Sequence, residues 1–241
     1  MVSGRCLAGL VGGGGGGGCG PALGFGGGHE LDDRGVDFVT IDGGEGGTGA
    51  APLIFMDSVA LPFRLGFSRV FSMFAEAELT DALTFIGAGK LGLPDNAVVA
   101  LALGCDMLNV GREAMLSIGC IQAQKCHTDT CPTGVATQNA WLARGLVPEV
   151  KAVRVANYIK TLRRDLVKVA EACGVEHPGL ISTESVDILD GRTASTPLHE
   201  VYGYTPGWGL PSAADREEIV RLMTVREPQG GSAPPSPSAI G

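Results

Sequence analysis

Residues 83–113 read LTFIGAGKLGLPDNAVVALALGCDMLNVGRE, and the alternation inside this stretch decides the fold. LTFI is a short apolar run ended by Gly87-Ala88-Gly89. A run of that length, bounded by glycine, is a buried-strand signal. Residues 94–103 follow with helical patterning, and Pro94 stands at the first turn, where its missing N–H removes no intrahelical bond. MLNV, residues 107–110, repeats the strand signal and stops at Gly111, and residues 112–118 begin another helix. Strand, glycine loop, helix and strand again is the pattern of βα modules around a parallel sheet.

The pattern extends in both directions. Upstream, VDFVTI (residues 36–41) is a third strand signal, followed by a glycine loop at 43–49 and a helix at 62–79 with apolar positions that include Leu65, Val70 and Phe74. Each strand is apolar throughout, which predicts a parallel sheet buried on both faces. Downstream, residues 148–173 form a long amphipathic helix through Val155, Tyr158, Leu162, Leu166, Val169 and Cys173. Gly174 is its natural stop, and its role is packing.

Residues 1–28 contain no acid and hold a glycine run, Gly12 to Gly18; they read as a disordered or foreign segment. From about residue 227 the chain is Pro-, Ser- and Gly-rich, as a flexible tail is. The division expected is therefore 1–28 low complexity, 29–190 the principal unit, 191–226 an extension and 227–241 a tail.

The chain has 241 residues, enough to bury a real core. A net charge of −8 without a basic run excludes nucleic acid as the main partner. No apolar stretch is long enough to span a membrane. Seven cysteines, an odd number, do not resemble a secreted disulfide framework. With no convincing signal peptide, the expectation is an intracellular, cytoplasmic protein, a plastid remaining open.

Two features carry chemistry. The first is the set of glycine loops, all of which follow strands, on the face where parallel α/β folds bind ligands. Gly87, Gly89 and Gly111, with Lys90 or Arg112 adding charge, can cradle a phosphate on backbone N–H groups; tight turns alone would also use these glycines. The loop GGEGGTGAAP, which holds Glu45, Gly46, Gly47 and Thr48, lets backbone approach a flat ring or a carboxylate, or is a surface loop. The second feature is GCIQAQKCHTDTCPTG, residues 119–134, with Cys120, Cys126 and Cys131 spaced C-x5-C-x4-C. Soft thiolates in one loop suit an iron–sulfur cluster or zinc. Polar neighbours such as Gln122, Gln124 and Asp129 count against a plain core segment. Spacing alone leaves iron–sulfur, zinc (with His127 as a fourth ligand) and inert thiols open.

Taken in order, IDGGEGGTGAAP, a strand-end G-x-G and GREAMLSIGCIQAQKCHTDTCPTGVATQ resemble the FMN-binding domain of glutamate synthase, and most of all its bacterial single-domain form. The resemblance covers about residues 36–189. It implies an α/β fold, the C-terminal portion of a (β/α)8 TIM-type barrel, here its last three units, followed by a cysteine-cluster loop and C-terminal helices. It implies FMN and a 3Fe–4S cluster, and the reductive amination of 2-oxoglutarate to glutamate with ammonia or glutamine as nitrogen source. Carried over residue by residue, Cys120, Cys126 and Cys131 match the cluster ligands. Gly87, Gly89, Lys90, Gly111 and Arg112 match the phosphate loops. Glu45, as the catalytic candidate, with Gly46, Gly47 and Thr48, matches the loop near flavin and 2-oxoglutarate. The first phosphate loop departs from the common Asp-Gly-Gly turn and reads Ala88-Gly89-Lys90. The implied partners are an electron-donor reductase and a chain supplying the missing strands.

Overall fold

The computed structural model describes residues 36–46, 59–191 and 193–224. The low-complexity segment, Gly47, Thr48 and the tail from residue 227 lie outside the described residues. Three strands form the principal sheet: β1 (Phe38–Asp42), β2 (Thr84–Ala88) and β3 (Met107–Asn109). All pairs are parallel in the order β1-β2-β3, with Ile41 opposite Gly87 and Ala88 opposite Asn109. The βα reading of residues 83–113 is therefore what the chain does.

Helix α1 (Phe63–Glu76) connects β1 to β2, and α2 (Pro94–Ala102) connects β2 to β3. Leu65 is not part of the core, and Val70 and Phe74 only flank it; the buried row is Phe63, Phe67 and Phe71, at four-residue steps. Aromatic side chains are bulkier than leucine and win the sheet-facing stripe. Phe67 and Phe71 stand 6.2 and 5.1 Å, centroid to centroid, from Phe85 of β2. Each fully buried phenylalanine stabilises by about 1.5–3 kcal/mol, so this cluster is the principal adhesive between α1 and the sheet. The helix stops short of residue 79 because Glu78 turns to φ 56°.

The expectation that every strand is buried on both faces needs correction. Phe85 and Gly87 of β2 are buried, but in β3 Met107 is 58% exposed and Asn109 is also exposed. Among the described residues β1 and β3 each pair on one side only.

After β3 come α3 (Arg112–Ser117), the cysteine segment, the short α4 (Ala140–Ala143) and α5 (Pro148–Ala172). Helix α5 packs on α2 and α3, buries Leu162 and Ala170, and ends at Gly174 with φ 78°. An antiparallel hairpin follows, β4 (Asp187–Asp190) with β5 (Ala194–Pro197), spanning the boundary expected at 190. Then come α6 (Leu198–Tyr202) and α7 (Ala213–Thr224). Leu198 and Tyr204 are buried in the same core as α1 and β2. Tyr204 stacks on Phe71 at 5.4 Å and donates its hydroxyl to the Leu103 carbonyl at 3.0 Å. The region after 190 therefore completes the principal core. No described helix is long and apolar enough to cross a membrane.

Candidate functional site

The parallel register brings the carboxyl ends of the three strands to one edge. Asp42, Ala88 and Asn109 end β1, β2 and β3, and the Gly43 N–H donates to the Ala88 carbonyl at 2.8 Å, which seals the first two loops together. Phe63, the first residue of α1, lies beneath them. A Cβ on Gly89 would stand 2.9 Å from the Phe63 Cβ, and Gly89 holds φ +140°, a conformation L side chains rarely adopt. A Cβ on Gly87 would meet the Cys105 sulfur at 2.6 Å and the Phe63 ring at 2.8 Å. Bare backbone at these two positions is thus a steric requirement of the floor as well as an opening toward a ligand. Gly111, by contrast, has nothing within 4 Å of where its Cβ would stand.

Lys90 follows Gly89 at φ 53°, and its carbonyl accepts from Asn96 Nδ2 at 3.1 Å. Asn96 also accepts from Arg64 at 2.9 Å, so the loop after β2 is tied to both α1 and α2. Arg112 opens α3 immediately after Gly111. Gly87, Gly89, Lys90, Gly111 and Arg112 accordingly lie along one edge of the sheet.

Glu45 sits in the 3-10 turn Gly44–Gly46 after β1. Its carboxylate accepts the Phe63 N–H, with Oε1 at 3.0 Å and Oε2 at 2.8 Å. Helix α1 has Pro62 at its N-cap and no side-chain cap of its own. A carboxylate from another loop supplies one, on the positive end of the helix dipole. The Gly44 N–H donates to the Leu61 carbonyl at 2.9 Å, so this strand-end loop is fixed to α1 at two points. Partial desolvation raises Asp42 above its ordinary value, with Glu45 adding repulsion.

The three thiols share the segment between α3 and α4. Cys120 accepts from the Gln122 N–H at 3.4 Å. Cys126 begins a 3-10 turn, Cys126–Thr128. Cys131 is 7% exposed; the Thr133 hydroxyl stands 3.4 Å from its sulfur. That hydroxyl, with N–H groups of Ala136, Thr133 and Val135, brings the thiol down to about 7 against the opposing effect of burial. All three are free thiols. Among the described residues no three His, Cys, Asp or Glu side chains stand close enough to hold one metal ion. The loop therefore presents thiols of the right kind, one already surrounded by sulfur-directed donors, but does not bring the three together.

Sequence reasoning missed Asp129, Thr133 and Thr137, which organise this segment. Asp129 adopts φ 58° and accepts from the Thr137 hydroxyl at 2.8 Å and the Gln138 N–H at 2.6 Å. An Asp between two threonines was the available signal, because Asp tolerates the left-handed region and bonds nearby backbone.

Comparison with known proteins is decisive for the family. Residues 27–176 match the family described as a conserved region in glutamate synthase. The chain belongs to the glutamate synthase family. Over 150 residues it is 45% identical to the glutamate synthase large subunit-like protein YerD of Bacillus subtilis, covering 62% of this chain and 29% of that protein. It is 37% identical over 140 residues to the archaeal glutamate synthase [NADPH] of Methanocaldococcus jannaschii, covering 58% of this chain and 28% of that one. Against the ferredoxin-dependent glutamate synthase of Pyropia yezoensis, identity is 41% over 103 residues, 43% of this chain and 7% of that one. The chain thus spans less than a third of the length of these relatives. The stretch matched to the glutamate synthase family contains the whole three-stranded sheet, the cysteine segment and α5.

Proposed function

We propose that this chain is the C-terminal portion of the (β/α)8 FMN-binding barrel of a glutamate synthase-type oxidoreductase, which aminates 2-oxoglutarate reductively to glutamate with ammonia or glutamine as nitrogen source. The observation that carries the reading is the convergence of three strand-end loops on one sheet edge, followed by a three-thiol loop, within the family-matched residues. When bound, FMN would supply hydride and a 3Fe–4S cluster would pass single electrons.

The residues fit these groups in kind. Gly87, Gly89, Lys90, Gly111 and Arg112 would hold the FMN phosphate, since Gly111 stands clear of other atoms and two cations flank the strand ends. Glu45, Gly46, Gly47 and Thr48 would belong to the loop near the flavin and 2-oxoglutarate. Cys120, Cys126 and Cys131 would ligate the cluster, the donors around the Cys131 sulfur favouring its thiolate. The setting would be cytoplasmic, with a separate reductase as electron donor.

Anaerobic purification of the full chain tests this reading. Brown protein with bound iron and acid-labile sulfide supports the cluster; colourless protein with neither overturns it, and zinc in their place assigns a structural metal site. FMN binding is read separately by quenching of flavin fluorescence.

Among the described residues β1 and β3 each pair on one side only, which favours a second reading, in which the chain needs strands from another chain for catalysis. Turnover of 2-oxoglutarate and ammonia by this polypeptide alone would refute it.

A further inference from the structure

We infer that Asp129 is a positioning residue that builds the Cys131 half of the cluster loop before any metal arrives; the inference rests on the cluster reading above. The cysteine segment divides into two unequal parts. In the part from Cys120 to Lys125, two non-glycine residues, Gln122 and Gln124, both hold φ 54°. Such residues cost about 1 kcal/mol or more each in the left-handed region. The bonds here are local: the Cys120 N–H to the Met115 carbonyl, and the Gln122 N–H to the Cys120 sulfur.

The part from Cys126 to Asn139 is knotted. The Asp129 carboxylate accepts from the Thr137 hydroxyl and the Gln138 N–H, and the Thr137 hydroxyl lies equally close to the Asp129 carbonyl, at 2.8 Å. Thr137 in turn accepts the Asn139 N–H at 3.0 Å, and Asn139 caps α4 through the Trp141 N–H at 2.9 Å. On the other side, Gly134 lies so close to α4 that a Cβ there would meet the Leu142 carbonyl. Residues 130–136, including Cys131 and the donors around its sulfur, are therefore held between the Asp129 knot and α4. None of these Asp129 hydrogen bonds reaches a thiol. The residue acts by joining the two ends of the turn that carries Cys131, as groups outside the ligand set do when they orient a metal site. Asp suits the position because the left-handed conformation is cheap for it and because its charge strengthens both bonds.

The test compares anaerobically purified full-length wild type with Asp129→Gly, Asp129→Asn and Thr137→Val. Glycine accepts φ 58° without strain and deletes only the acceptor; asparagine keeps an acceptor; valine removes the donor from the opposite side. The readouts are iron and sulfide per chain, the visible absorbance, the rate of iron loss to a chelator and the thermal melting temperature. The inference expects Asp129→Gly and Thr137→Val to lose iron about tenfold faster or more, with each iron-free chain still melting cooperatively and Asp129→Asn near wild type. Iron loss from Asp129→Gly at the wild-type rate overturns the positioning role and leaves the cluster reading intact. A wild-type chain without iron and sulfide overturns the cluster reading, and the inference with it.

Discussion

The carboxylate of Glu45 accepts the backbone N–H of Phe63, 18 residues away, on both of its oxygens. The same phenylalanine lies under Gly87 and Gly89. One acid thus fixes the loop after β1, the start of α1 and the floor beneath the strand ends. Whatever Glu45 does toward a substrate, it already has a structural partner.

Replacement of Glu45 by alanine leaves the start of α1 without its acceptor. The expected loss is about 1–2 kcal/mol, with Glu45→Gln losing less because an oxygen acceptor remains. Urea unfolding of the three proteins measures it. Equal stability of all three would show that the bond contributes nothing.

Gly87 is the tightest test of the floor. An alanine there puts a Cβ against the Cys105 sulfur and the Phe63 ring, and overpacking of this kind costs about 1–3 kcal/mol. Cys105→Ala should recover part of that cost in the double variant, since it removes one of the two clashing groups. A double-mutant cycle on unfolding free energy reads the coupling; strict additivity would contradict the packing described.

His177 gives a pH signature. Its Nδ1 accepts the Gly179 N–H at 3.1 Å, which requires that nitrogen to be unprotonated. Burial, with Arg163 nearby, lowers its basicity below the usual 6.5. The unfolded chain therefore binds the proton first as pH falls below 6.5. The stabilisation is complete above that value and is lost as pH drops toward the folded-state midpoint. Asparagine at this position keeps an acceptor without a titrating group. The difference in melting temperature between wild type and His177→Asn should shift against wild type between pH 6.5 and 5; a pH-independent difference would exclude the effect.

Tyr204→Phe removes a buried hydroxyl and leaves the Leu103 carbonyl without that donor, a loss of about 1–3 kcal/mol. Burial, with Cys105 and Tyr202 nearby, drives the Tyr204 phenol well above its usual range. The unfolded phenol ionises first as pH rises past about 10, and stability falls from there upward. Comparing wild type and Tyr204→Phe by urea unfolding at pH 7 and pH 10.5 checks both; the gap should narrow at the higher pH.

The local rules in the sequence determined the βα order. Strand runs ended by glycine, Pro94 at a helix start and Gly174 at a helix stop are short-range signals, and the structure places all of them within a few residues of where they were read. The cysteine segment could be singled out because its three thiols stand in one contiguous stretch. Tertiary structure decided what depends on distant partners. It chose the phenylalanine row over Leu65 because only the packed sheet says which stripe faces it. It joined Glu45 to Phe63, set Tyr204 on Leu103 across 101 residues, and gave Asp129 its role through Thr137 and Gln138. Periodicity sees neighbours along the chain, whereas a cap, a buried hydroxyl or a loop knot is defined by the group that folding brings opposite it.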